Sequence, residues 1–288
     1  MSGAVMQSIT IITDTDSSIP FVLAAQFNLY QVPMTIHFGD DSYEAVYALN
    51  DADTFRRIDN EGKLPTTAAP PPGKFIDAFK NAFDAGAEKI ICLCVSSEVS
   101  ATFSAAVSAS EYFPGREIKL IDSRSISMGL GYMALAAAQA ASQGASMNEI
   151  ISVIEDTRQR THLYAALSTL KYLAMGGRVS NLTASMANIL NIKPILTMQD
   201  GRLDILERVR TKKKAWHRVI ELSAITTGDR QIEKMCILHV NAIDMAHEFA
   251  SEIQSRMHCP SEFMFVEVTP GLSVHSGAGM VGTVFVVK

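Results

Sequence analysis

Two hydroxyl-rich segments of the chain are candidates for binding a carboxylate. The first is a proline-stiffened loop at residues 65–73 that carries Thr67, and the second is a strand-to-helix turn at residues 96–102 that carries Ser100. Hydroxyl groups beside the free amides of a helix start make a clamp for a carboxylate. The alternative is that Ser100 only caps the helix that begins near Ala101.

A histidine near the end of the chain, His275, is a third candidate. It precedes a GxGxxG sequence at residues 277–282, and only six residues follow, so we expect no crossover helix to supply the amides that a pyrophosphate needs. The pattern instead predicts a tight glycine turn before the last strand. A lone histidine is often structural, but beside amides that glycine leaves exposed we predict a binding role for His275.

A second glycine pattern, GxGxxA at residues 129–134, also matches a dinucleotide fingerprint. Residues 123–128 separate it from the preceding strand, whereas a phosphate loop leaves its strand directly. The pattern favours a helix rich in small residues, which allows close packing or leaves room for a guest molecule. We therefore predict no nucleotide cofactor.

Asp14 and Asp16 follow the first predicted strand in the sequence DTDSS. Such a loop can hold magnesium and offer a nucleophilic aspartate for phosphoryl transfer. That chemistry also needs a lysine and a second acidic pair after a later strand, and the nearest match, Gly228-Asp229, has no strand before it. We therefore interpret the loop as a helix cap and predict no metal. The enzymatic alternative is a phosphatase using Asp14 and Asp16, or a hydrolase using Ser100 and His275.

The charge balance bears on the partners. The 288 residues carry a net charge of −5 with a pI near 5.8, so no global basic field exists to hold nucleic acid. Basic residues cluster in one segment, at Arg208, Arg210 and residues 212–214. This segment is either a local docking patch or a solvated turn.

Cysteine usage and hydropathy indicate a cytoplasmic protein. Cys92 and Cys94 alternate in an apolar strand, which predicts buried free thiols and a reducing compartment. The first residues lack the basic and apolar pattern of a signal peptide. The longest small, apolar stretch, residues 129–141, is shorter than the ~20 residues that span a bilayer.

The elements that position these residues form two predicted domains. In residues 1–160, apolar strands at 9–13, 90–95 and 118–121 are each followed by a polar loop and a helix, which is typical of a parallel α/β/α sheet. Ligands of such sheets lie where the loops leave the carboxyl ends of the strands. Residues 161–288 predict a mixed or antiparallel α/β domain with helices on one face; its strands include a hairpin around Asp200-Gly201. We place the boundary near residue 160.

Eight segments, in order along nearly the whole chain, resemble the DegV-type fatty-acid-binding proteins. They read TDTDSS, TTAAPPPGKF, SSEVSAT, IDSRSISMGLG, LKYLAMGGRVSN, NIKPILTMQDGRL, RVRTKKKA and HSGAGMVG. The resemblance implies a two-domain, DegV-like fold with an acyl site between the domains. It implies that the carboxylate of one long-chain fatty acid is bound by Thr67, Ser100, His275 and Arg178. It also implies that Arg210 acts in phosphorylation with a fatty acid kinase.

The sequence departs from the family pattern in three places. Ala68 and Ala69 replace Ser-Gln, which removes two side-chain hydrogen-bonding groups. Ala101 replaces a glycine, which is tolerated only if its φ is negative. Ala278 stands where proline is common, which predicts a looser glycine turn. None of these changes removes Thr67, Ser100 or His275.

The combined interpretation is a bacterial acyl carrier without chemistry of its own. No phosphate-loop or kinase signature occurs in the sequence, so ATP is expected to belong to the partner kinase. The acyl-phosphate product would feed phospholipid synthesis, and lipid exchange would involve transient contact with a membrane. The alternatives are the hydrolase or phosphatase above and a lipid-responsive regulatory module that has no kinase partner.

Overall fold

The computed structural model describes residues 9–176 and 192–288. The chain divides into two compact units, one comprising residues up to Thr35 with Ala68–Gln159, the other Ile36–Thr67 with Arg160–Lys288. One division therefore falls between Gln159 and Arg160. Residues 36–67, which a single boundary near 160 places in the first domain, group with the second unit. A sequence pattern orders elements along the chain but does not reveal a segment that leaves one unit and returns.

The described residues form thirteen strands and ten α-helices. The strands are β1 (Ile9–Asp14), β2 (Tyr30–Val32), β3 (Thr35–Phe38), β4 (Asp41–Glu44), β5 (Thr66–Ala68), β6 (Lys89–Cys94), β7 (Glu117–Asp122), β8 (Thr161–Ala166), β9 (Lys193–Gln199), β10 (Arg202–Val209), β11 (Ile232–His239), β12 (Met264–Glu267) and β13 (Val281–Val287). The helices are α1 (Phe21–Gln26), α2 (Asp51–Glu61), α3 (Pro72–Asp84), α4 (Thr102–Ser110), α5 (Met128–Ser142), α6 (Met147–Arg160), α7 (Lys171–Gly176), α8 (Lys212–Thr227), α9 (Ile243–Arg256) and α10 (Pro270–Ser276).

The first unit contains a parallel sheet in the order β2-β1-β6-β7. One face packs against α3 and α4 in a core that includes Phe75, Phe79 and Cys92. Because successive strand residues point to opposite faces, Ile11 and Ile91 belong to the other face, and they are buried as well. Helix α5 packs against β1 and β6. The predicted parallel α/β arrangement is confirmed.

The second unit contains a mixed sheet in the order β10-β9-β8-β13-β11-β12, in which only the pairing of β11 with β12 is parallel among the described strands. Helices α8 and α9 cover it through Trp216, Val219 and Phe249. Burying one such side chain contributes roughly 1.5–3 kcal/mol. The predicted mixed sheet is confirmed.

The hairpin between β9 and β10 turns at Asp200 and Gly201. Their φ angles are 49° and 82°, and two positive φ angles in succession define the type I′ turn that Asp-Gly favours. The twist of this turn matches that of the strands it joins. Here a two-residue sequence signal determines the local structure.

A smaller sheet in the order β4-β3-β5 was not expected from the sequence. Its strands are three or four residues long, too short to show a clear alternation of apolar and polar residues. Arg57 of α2 stacks 4.4 Å from the Phe38 ring centre and binds Asp41 at 2.7 Å, which joins α2 to β3 and β4. Thr67, one of the predicted carboxylate ligands, lies on β5.

The cysteines and the hydropathy of the helices were also predicted from the sequence. Cys92 and Cys94 are buried free thiols with their sulfurs 3.8 Å apart, as predicted. Within the described ranges, no helix has both the length and the apolar character required to cross a membrane.

Candidate functional site

Thr67 and His275, which are 208 positions apart in the sequence, meet in the second unit. Thr67 Oγ1 lies 3.0 Å from His275 Nε2, which is hydrogen-bonding distance. Both side chains are half-buried, so a ligand group can reach them without unfolding the surroundings. This pair is the centre of the candidate site.

Helix α10 positions His275. The helix begins with Pro270, whose fixed φ suits a first helical residue, and it ends at Gly277, whose φ is 82°. The Ser273 hydroxyl donates a hydrogen bond to the Asp51 carboxyl of α2, so a buried polar contact joins the two helices. A seven-residue helix is too short to persist alone, and its orientation therefore depends on such contacts.

Two glycines allow α7 and α10 to approach each other closely. A methyl group on Gly176 would overlap the His275 ring, and a methyl group on Gly277 would overlap the Tyr172 ring. Tyr172 also makes an edge-to-face contact with Phe55 of α2, with ring centres 6.4 Å apart. The glycine of the GGR sequence at Gly176 thus has a steric role beside the histidine.

The GxGxxG sequence forms a turn before β13, as predicted. Gly277 and Gly279 both have φ near 82°, and Gly279 lies against the Ser168 hydroxyl, which donates a 2.9 Å hydrogen bond to its carbonyl. The other glycine pattern lies inside α5, where Gly131 packs against the carbonyl of Ser17. Close packing, one of the two roles predicted for this helix, is thus what Gly131 provides.

Ser100 lies in the first unit, at the start of α4. Its hydroxyl is 2.8 Å from Thr102 Oγ1 and accepts a 3.3 Å hydrogen bond from the Thr102 amide. The Thr102 hydroxyl in turn points to Met34 Sδ at 3.6 Å. Ala101 has a φ of −75°, which confirms the condition under which alanine can replace glycine there. Ser100 therefore contacts the helix start and is also half-exposed.

The Asp14 side chain has a structural role at the end of β1. Asp14 accepts hydrogen bonds from the amides of Asp16, at 2.9 Å, and Val95, at 2.8 Å, so it caps the 3₁₀ turn at Thr15–Ser17 and ties β1 to the end of β6. Both carboxyls are almost fully buried, and burial raises the pKa of each. The Asp14 carboxyl is also bonded through both oxygens, so it is poorly placed to attack a phosphoryl group. The interpretation as a cap holds, although for the 3₁₀ turn and not for α1.

Of the two arginines predicted to have a role, only Arg210 lies within the described residues. Arg178 lies outside the described residues. Arg210 is exposed in the short link between β10 and α8. Its neighbour Lys212 lies 4.4 Å from the Trp216 ring centre and 3.4 Å from Glu248, so part of the basic segment also stabilises α8. Thr211 caps that helix by accepting from the Lys214 amide at 3.3 Å.

Comparison with known proteins assigns a family. The family model described as uncharacterised proteins of the DegV family matches residues 8–288. The chain belongs to the DegV family. A DegV domain-containing protein of Halalkalibacterium halodurans is 32% identical over 282 residues, which cover 96% of this chain and 98% of that relative. The family resemblance derived from the eight sequence segments is thus confirmed.

Solved structures of DegV proteins share the fold. A DegV family protein from Thermus thermophilus, described for its fatty acid binding, superposes with a TM-score of 0.89 at 26% identity and covers 97% of this chain and 99% of its own. DegV of Bacillus subtilis, described as a fatty acid binding protein, gives a TM-score of 0.87 at 25% identity, again covering 97% and 99%. Fatty acid binding is therefore a property of these two DegV relatives.

Some residues that support the site were not predicted from the sequence. Asp51 and Ser273 belong to no sequence motif. They are 222 positions apart, and only the fold brings them together. Gly176 did have a signal, since it opens the GGR sequence, but the sequence pointed to the arginine and not to the glycine. Within residues 9–176 and 192–288, no cluster of histidine, cysteine or acidic side chains is arranged to hold a metal ion.

Proposed function

We propose that this DegV protein binds one long-chain fatty acid and presents its carboxylate to a fatty acid kinase. The observation that carries the proposal is the hydrogen bond between Thr67 and His275 in a chain whose relatives bind fatty acids. The kinase would transfer the terminal phosphoryl group of ATP to the carboxylate, giving an acyl-phosphate for phospholipid synthesis. The protein would act as a cytoplasmic carrier, which agrees with its free thiols.

The Thr67–His275 pair has the hydrogen-bonding capacity that a carboxylate needs. When His275 Nε2 carries a proton, it donates to Thr67 Oγ1, and the Thr67 hydroxyl is then directed to donate to the ligand. A carboxylate only accepts hydrogen bonds, and bonds to a charged acceptor are about twice as strong as neutral ones. An alcohol or ester head group would gain less from the same donors.

Ser100 and Arg178 complete the proposed head-group set. The Ser100 hydroxyl is engaged with Thr102, but a carboxylate is a stronger acceptor than a threonine hydroxyl, so Ser100 can redirect its proton to a ligand. The guanidinium of Arg178 would supply a positive charge. Both assignments rest on the family motifs that these positions match.

The acyl tail would dominate affinity, while the head-group residues would set orientation and selectivity. Burying each CH₂ contributes roughly 0.8 kcal/mol, so a tail of about sixteen carbons gives on the order of 10 kcal/mol before the costs of association. Each hydrogen bond to the carboxylate adds about 1.5–3 kcal/mol. The head group therefore decides which ligand is accepted more than whether one binds.

Lipid analysis of the purified protein tests the carrier proposal. Native mass spectrometry should show one added mass per chain, and denaturing extraction should identify it as a fatty acid. Delipidated protein should rebind acids of 14 to 18 carbons. Delipidated protein without affinity for any of these acids would refute the proposal.

A second assay tests the partner. The lipid-loaded protein is incubated with ATP, magnesium and a bacterial fatty acid kinase, and acyl-phosphate is trapped as the hydroxamate. Product that requires both proteins supports presentation to the kinase. Bound lipid without product would favour the lipid-responsive regulatory module, and hydrolysis of an added acyl ester or phosphate monoester without the kinase would favour an enzyme.

A further inference from the structure

A buried carboxyl lies next to the candidate site without belonging to it. Asp51, the first residue of α2, is 1% exposed. The Ser273 hydroxyl donates to its Oδ1, and within the described residues its Oδ2 is buried without a hydrogen-bond partner. Burying a carboxyl that is only half satisfied is costly, so the residue needs an explanation.

Local helix capping does not provide that explanation. Asn50 already caps α2 by accepting from the Asp53 amide at 2.9 Å. Burial raises the pKa of Asp51 to about 8, the Ser273 bond opposes this rise, and the negative charge of Glu267 adds to it. Burying the Asp51 carboxyl thus carries a desolvation cost, and its one side-chain hydrogen bond in the described residues connects it to Ser273 of α10.

The bond from Asp51 reaches α10 close to the functional histidine. Ser273 is buried and lies two residues before His275 in the same short helix. On another side, Gly176 of α7 lies against the His275 ring, which leaves the ring little freedom to move away from Thr67. The helix is thus held by a polar contact to α2 and by steric contacts to α7.

We propose that Asp51 is a positioning residue that acts through Ser273: it holds α10 so that His275 Nε2 meets Thr67 Oγ1, and it thereby sets the preference for a carboxylate over an uncharged head group. The inference rests on the proposed fatty acid binding. It assigns to Asp51 no contact with the ligand. Asp51 acts on the hydrogen bond between His275 and Thr67, which directs the Thr67 hydroxyl to the ligand.

The experiment compares two ligands that share a tail. Affinities for palmitic acid and for hexadecanol are measured on the full chain after delipidation, and their ratio is the readout. Asp51→Ala and Ser273→Ala should lower that ratio about tenfold, the amount expected from the loss of one well-directed hydrogen bond to a charge. Hexadecanol affinity should change by less than about threefold, because the tail contacts remain.

Two further variants separate positioning from general damage. Asp51→Asn keeps an oxygen that accepts from Ser273 and should retain the wild-type ratio. Asp53→Ala, two residues along the same helix and partly exposed, is the matched control and should also leave the ratio unchanged. Nitrogen NMR of labelled histidine should show an altered His275 environment in Asp51→Ala and Ser273→Ala, and not in Asp51→Asn.

The outcomes distinguish the inference from the function on which it rests. Wild-type protein that binds palmitic acid no better than hexadecanol would refute the proposed head-group role. A wild-type preference that survives in both alanine variants would refute only the role of Asp51. An equal loss of affinity for both ligands would reduce Asp51 to a structural residue. If Asp51→Ala does not fold, Ser273→Ala and Asp51→Asn still decide the question.

Discussion

The most direct test of the site is the replacement of Thr67 by valine. Valine has the shape of threonine and suits a strand position such as the middle of β5, so the change removes a hydroxyl and little else. The hydroxyl lies 3.0 Å from His275 Nε2. The variant therefore removes the group that would link the histidine to the ligand.

The expected magnitude follows from the two states of the site. Without ligand, the variant loses one neutral hydrogen bond, worth about 0.5–1.5 kcal/mol, which affects stability and not affinity. With ligand, it also leaves the carboxylate short of a donor, at about 1.5–3 kcal/mol. Because the half-buried site admits water that replaces part of this bond, we expect an affinity loss of about 1–3 kcal/mol, or roughly 5- to 150-fold.

The assay is the affinity for palmitic acid, with hexadecanol as the uncharged ligand and Thr66→Val as the matched control. Thr66 is the exposed neighbour of Thr67 on the same strand, and successive strand residues point to opposite faces. Thr67→Val should weaken palmitic acid within the stated range and leave hexadecanol nearly unchanged. Thr66→Val should change neither.

The hydrogen bond between Thr67 and His275 also predicts coupling between the two residues. If the histidine acts through the threonine, then Thr67→Val and His275→Ala should not be additive, because either change breaks the same relay. Wild-type affinity in Thr67→Val would refute the assignment of the head group to this pair. Fully additive losses would show that the two residues act on the ligand independently.

Four further predictions follow from the structure. Ser100→Ala should weaken the binding of palmitic acid by about 1–3 kcal/mol. Thermal stability should fall little, because the half-exposed Ser100 hydroxyl is bonded only to Thr102 among the described residues. Arg210→Ala should retain bound lipid and lose acyl-phosphate formation with the kinase, and the defect should depend on salt, because an exposed charge acts on encounter and alignment. Gly176→Ala should weaken palmitic acid more than hexadecanol, since the added methyl group displaces the His275 ring. The fourth concerns Asp51, whose pKa is raised from 3.8 to about 8 in the folded protein. As the pH rises, the unfolded chain therefore loses this proton before the folded chain does. The contribution of Asp51 to the free energy of unfolding is thus complete below pH 3.8 and is lost as the pH rises to about 8. Asp51→Asn should remove this loss, up to about 6 kcal/mol between pH 4 and 8, as measured by urea unfolding.

Each of these predictions has an outcome that contradicts it. Unchanged affinity in Ser100→Ala would place the clamp elsewhere, and release of lipid by Arg210→Ala would make that arginine part of the ligand site. Equal losses for both ligands in Gly176→Ala would indicate general disruption. For the pH series, Asp59→Asn, exposed on the same helix, is the control. An Asp51→Asn variant whose stability falls with pH as steeply as that of the wild type would show that other groups cause the decline.

The sequence by itself determined those features that depend on nearby residues. Apolar, branched runs that are each followed by a polar loop and a helix indicated β1, β6 and β7 of the parallel sheet, and Asp200-Gly201 specified a type I′ turn, because positive φ angles select particular residues. The two glycine patterns lie inside α5 and in the turn before β13, as the sequence predicted from the elements around them. The eight family segments also indicated which side chains to examine.

The tertiary structure alone decided which distant residues meet. The short strands β3 to β5 have too few residues to show a period, and most of their residues group with the second unit. The pairing of Thr67 with His275, and of Asp51 with Ser273, joins positions more than 200 residues apart. Local propensity carries no information on such pairs, because burial and hydrogen bonding between them arise only after the helices have packed.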